Sequence, residues 1–203
     1  MCTKCGGPYS YPFPSNRIIG GFEVPPHSRP FQVEVLAGPF LCGGSLISPN
    51  YVLTAAHCVK GFEPASVFVV VGEHDITLTG DGEQIFNVLN ILINPLYDGN
   101  VAYDYSIIRL SLPVVIPTIN SFTGIVCLPP DTNDQFVGTN LTVSGWGRID
   151  TGNDNISPVL KATFLTSISN TKCAETFGPV IGPYTICAFQ AGTSTCNGDS
   201  GGN

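Results

Sequence analysis

Charge is scarce in this chain. Asp, Glu, Lys and Arg together make up 11% of 203 residues, and only eight of them are Lys or Arg. Nucleic-acid surfaces need clustered cations to neutralise phosphates, so eight dispersed ones argue against that function class. No apolar run approaches the ~18 residues that a membrane-spanning helix requires. There are no heptads, no repeat of fixed short period and no low-complexity tract, which sets coiled coils and solenoids aside. Helix signals are few. The opening residues Met1-Cys2-Thr3-Lys4-Cys5 lack the apolar stretch of a signal peptide.

What the chain does have is turn chemistry. Gly (23) and Pro (17) are plentiful, 43% of residues are hydrophobic, and the net charge is -7. Short β-branched or aromatic runs recur between breakers, predicting strands at Phe31–Leu36, Gly44–Ile47, Ser66–Val71, Gln84–Leu92, Tyr105–Leu110, Asn140–Val143 and Leu160–Ile168. Thr54 to His57 suits a single helical turn, and Ser169 to Phe177 a short helix opened by a Ser or Asn cap. The fold class is therefore all-β with extensive loops. Residues 1–17, rich in Pro, Gly and Tyr, read as an extended, tethered segment or linker ahead of a domain over 18–203. Eight cysteines indicate an oxidising compartment. The sequons at Asn140 and Asn155 agree with a secreted glycoprotein, whose export signal would lie upstream.

Three segments carry residues suited to acyl transfer: Thr54-Ala55-Ala56-His57-Cys58, Tyr103-Asp104-Tyr105, and Gly198-Asp199-Ser200-Gly201-Gly202. A serine hydroxyl is a poor nucleophile at neutral pH. It needs an imidazole to take its proton, and the imidazole needs a carboxylate to fix its tautomer. Each residue alone also fits a bland structural role, but their flanks, order and cysteine placement agree with one another.

With Arg17-Ile18-Ile19-Gly20-Gly21, Cys42-Gly43-Gly44-Ser45-Leu46-Ile47, Ser144-Gly145-Trp146-Gly147 and the closing Gly-Asp-Ser-Gly-Gly, the chain resembles the chymotrypsin/trypsin-like secreted serine proteases over residues 17–202. The resemblance implies two six-stranded antiparallel β-barrels with the active site between them, the second truncated at its C-terminus. It implies Ser200 as nucleophile, His57 as general base and acid, Asp104 as orienter, and an oxyanion hole from the N–H groups of Gly198 and Ser200. A catalytically silent binding or regulatory protein on the same scaffold is the alternative.

The resemblance further implies a zymogen, cut after Arg17 by an activating protease so that the Ile18 ammonium pairs with Asp199. In chymotrypsinogen a histidine and a serine cage this aspartate; Phe40 and Glu34 stand at those positions here, so a different restraint is expected. Implied disulfides are Cys42–Cys58, Cys173–Cys187 and Cys5–Cys127, the last keeping the pro-segment attached. Cys196 would pair with a cysteine beyond Asn203, and Cys2 with an upstream regulatory domain, so both ends are expected to be truncated. Ser194, six before the nucleophile, implies a neutral pocket preferring a large apolar residue before the scissile bond. No cofactor is required. Glu73, Asp75 and Glu83, with a carbonyl near Leu78, resemble a calcium loop. The expected substrate is a protein or peptide.

Overall fold

The computed structural model describes residues 21–80, 82–116, 122–129, 136–148, 155–192, 195 and 198–202. Ten strands appear in chain order: β1 Phe22–Glu23, β2 Gln32–Ala37, β3 Phe40–Ser48, β4 Tyr51–Thr54, β5 Val67–Val71, β6 Gln84–Ile93, β7 Ser106–Leu110, β8 Asn140–Gly145, β9 Lys161–Ile168 and β10 Cys187–Phe189. Helix α1 is the single turn Ala56–Val59, and α2 runs over Asn170–Phe177.

Alternation along the strands builds the first unit. Val33, Val35 and Ala37 of β2, Val67, Val69 and Val71 of β5, and Ile108 and Leu110 of β7 all enter one buried cluster. Period-two apolar positions on a pleated strand share a face, so such strands bury their side chains by curling into a closed sheet. The result is an antiparallel barrel in the order β2-β3-β4-β7-β6-β5, with β2 and β5 pairing to close it.

The second unit is a four-stranded sheet. Strand β9 carries β1 and β10 along one edge and β8 along the other. Among the described residues four of the expected six strands are present, with no closure into a second barrel. Its small core of Val24, Trp146, Leu160 and Ala162 lies where the units meet. There the Trp146 indole N–H and the Leu160 amide both donate to the His74 carbonyl, at 3.0 and 2.9 Å.

Strand expectations from the sequence agree with the elements, but three were missed. Strands β1 and β10 are too short to show a period. Tyr51–Thr54 runs straight into the helix-favouring Ala55-Ala56, and only its pairing between β3 and β7 makes it a strand.

Candidate active site

Helix α1 begins where β4 ends, which sets His57 at the rim of the first barrel. The imidazole is held from behind. Its Nδ1 lies 2.6 Å from Asp104 Oδ2, and the His57 backbone N–H donates to Asp104 Oδ1 at 2.8 Å. Both carboxylate oxygens therefore serve one residue, across 47 positions of sequence. The Nδ1–H tautomer that this contact selects leaves Nε2 free to accept a proton. Nε2 itself faces the Cys42–Cys58 disulfide, 3.7 Å from Cys58 Sγ.

Ser200 reaches the same place from the far end of the chain. The Gly43 N–H of β3 donates to the Ser200 carbonyl at 2.8 Å. A Cβ on Gly43 would come within 2.7 Å of Gly202 Cα, so only glycine admits the Ser200 loop this close to β3. His57, Ser200 and Gly198 line one pocket of about 370 Å³, walled by Phe40, Leu41, Phe62, the Cys42–Cys58 disulfide and Lys60. The Lys60 ammonium lies 4.8 Å over the Tyr97 ring. Among the described residues no hydrogen bond joins Ser200 Oγ to His57 Nε2. His57 and Ser200 share one pocket, with Asp104 behind the imidazole, without the final contact.

Asp199 is seated against β8 and the turn after it. Its Oδ1 accepts the Gly147 N–H at 2.8 Å, and a Cβ on Gly147 would lie 2.4 Å from its Cγ. Glycine at 147 is a requirement of that seat. Phe40 and Glu34 are not part of it. Phe40 is exposed and packs edge-on against Phe62, while Glu34 lies buried beside Glu73.

Disulfides Cys42–Cys58 and Cys173–Cys187 are formed as expected. Cys127 is also disulfide-bonded; Cys5, its expected partner, lies outside the described residues, as do Arg17, Ile18, Ser194, Cys2 and Cys196. Asn140 is exposed at the start of β8, with Thr142 exposed two residues on. Asn155 is exposed too, but Ser157 of its sequon is buried and donates to the Val159 carbonyl.

The expected calcium set is not assembled. Glu83 accepts the Gly80 and Gly82 amides, Asp75 accepts the Thr77 amide and hydroxyl, and Glu73 accepts the His74 amide. Among the described residues the one potential metal-binding group is Cys42, His57 and Cys58, whose sulfurs are already bonded to each other.

Sequence reasoning missed Phe62 and Tyr184 beside this site. Neither sits in a motif, and each arrives through packing of a distant element.

Comparisons with known proteins come down on one family. A family model described as trypsin matches residues 18–203. Trypsin-3 of Salmo salar is 33% identical over 190 residues, covering 92% of this chain and 76% of that protein. Trypsin of Sus scrofa is likewise 33% identical, over 92% of this chain and 78% of its own length. Among solved structures, a scabies mite inactivated protease paralogue, S-D1, superimposes with a TM-score of 0.83 at 26% identity, covering 91% of this chain and 80% of that one. Neuropsin, a serine protease of mouse brain, gives 0.78 at 30% identity, covering 90% and 79%.

Proposed function

This chain is a serine endopeptidase of the trypsin family, and we propose that it is made as a secreted precursor in which cleavage after Arg17 completes a Ser-His-Asp active site. The observation that carries the reading is the double hold of Asp104 on His57, on a pocket that Ser200 also lines. In this scheme His57 Nε2 takes the Ser200 proton as Oγ attacks the substrate carbonyl. The Gly198 and Ser200 N–H groups receive the oxyanion, where one donor is worth about 3 kcal/mol of transition-state stabilisation. Nε2 then returns the proton to the departing amine, and water hydrolyses the acyl-enzyme by the same route in reverse.

Nε2 opens onto the pocket of Phe40, Leu41 and Phe62, so the leaving segment of the substrate departs over an apolar floor. Ser194, six before Ser200, is the residue that the family likeness sets at the base of the primary pocket, where a serine in place of an acid would favour large apolar side chains over Lys or Arg. The Ile18 ammonium freed at Arg17 would pair with Asp199, adding a cationic partner to a carboxylate that already accepts the Gly147 N–H. Glu73, Asp75 and Glu83 would supply the carboxylate ligands of a calcium ion, which this mechanism does not require.

Likeness to an inactivated paralogue motivates one rival, a silent protein on the protease scaffold. An organophosphonate separates them: after cleavage at Arg17 it should label Ser200, and Arg17→Gln should block both cleavage and labelling. A correctly cleaved protein that stays unlabelled supports the silent reading instead.

A further inference from the structure

Tyr103, the residue before Asp104, has a φ of +56°. A bulky L-residue occupies the left-handed region only where its surroundings over-determine it. The backbone here makes a tight three-residue turn, with the Tyr105 N–H donating to the Tyr103 carbonyl at 2.8 Å and Asp104 at the apex. The direction of the Asp104 carboxylate therefore depends on Tyr103 keeping its unusual conformation.

What holds Tyr103 comes from the other unit of the molecule. Its ring stacks on that of Tyr184 with centroids 4.7 Å apart and planes inclined by 31°. Tyr184 sits on a turn closed by the Thr185 N–H to the Gly182 carbonyl, which also accepts from Asn170 Nδ2 at the start of α2. The Cys173–Cys187 disulfide staples α2 to the strand that follows this turn. The Tyr184 ring lies directly over Gly182, where an added Cβ would meet Cζ at 2.5 Å. Tyrosines 103 and 184 also line, with Asp104, a cavity of about 240 Å³ on the side of the carboxylate away from the nucleophile.

We propose that the Tyr103–Tyr184 stack is a positioning clasp, through which the α2–β10 region of the second unit sets the carboxylate of Asp104 against His57. The inference rests on the protease reading above. Neither tyrosine touches the reacting atoms. Their effect runs through the Asp104 turn, and misplacing a group of this kind by about 1 Å can cost up to ~100-fold in rate.

The test uses the activated protein with a peptide substrate. Tyr184→Ala should lower kcat about tenfold with KM changed less than about twofold, because the substrate contacts remain. The acidic limb of kcat/KM should move to lower pH, since a displaced carboxylate stabilises the imidazolium less. Gly182→Ala should do the same with both tyrosines present, by pushing the Tyr184 ring off its seat. Tyr184→Phe keeps the stack and should restore both parameters. The proton on His57 Nδ1, read by NMR, should shift in Tyr184→Ala and in Gly182→Ala. Unchanged kcat, pH limb and Nδ1 resonance in those two variants would overturn the clasp, as would Tyr184→Phe behaving like Tyr184→Ala. Organophosphonate labelling of the unsubstituted protein is read alongside: its failure counts against the protease reading, whereas a labelled protein with indifferent variants counts against the clasp alone.

Discussion

Glu34 is a carboxylate in a place that disfavours charge. It points from β2 away from the barrel interior yet stays buried, and burial followed by the charge of Glu73 pushes its pKa up to about 7. An acid with a raised folded-state pKa binds its proton more tightly folded than unfolded. Stability from this group is therefore full below about pH 4.5 and declines as pH rises to about 7. Glu34→Gln should raise the unfolding free energy at pH 8 by about 1–3 kcal/mol and leave it nearly unchanged at pH 4, measured by urea titration. Equal effects at both pH values would locate the cost elsewhere. The sequence marked position 34 as a departure from the family pattern, but its burial and its acidic neighbour are facts of packing.

Helix α2 shows how much a short element takes from its surroundings. Eight residues are too few for a stable isolated helix in water. Local signals still name its ends: Ser169 accepts the Lys172 N–H as the N-cap, and Gly178 with φ of +73° stands at the C-cap. The N-cap was legible in the sequence. The constraint that fixes its orientation is the Cys173–Cys187 bond across 14 residues. Replacing both cysteines by serine should cost about 2–3 kcal/mol of stability, seen as a lower urea midpoint. An unchanged midpoint would mean that the helix is held by packing alone. Gly182-Pro183 marks the turn at 182–185 in the sequence, but nothing local says that Tyr184 on it meets Tyr103.

Across the whole molecule, the join between the units is polar as well as apolar. The Ser144 hydroxyl donates to Gln32 Oε1 at 2.9 Å, and the Ile76 amide to the Pro158 carbonyl at 2.9 Å. Trp146, the chain's single tryptophan, is fully buried there. Its fluorescence is therefore a probe of the join. If the two units unfold together, the fluorescence and far-ultraviolet dichroism midpoints in urea should coincide; separated transitions would show two independent cooperative units. Sequence by itself determined the all-β character, the positions of most strands, the N-cap of α2 and which residues are candidates for acyl-transfer chemistry. Those follow from side-chain period, turn chemistry and short motifs, all of which act over a few residues. Only the tertiary structure decided that β4 joins the barrel between β3 and β7, that Asp104 grips both the ring and the amide of His57, that the carboxylates of the 73–83 loop stay apart, and that Tyr184 stacks on Tyr103. Each of these depends on segments separated along the chain being packed against one another, or on which nearby groups a side chain finds once they are. Local propensity carries no information about either.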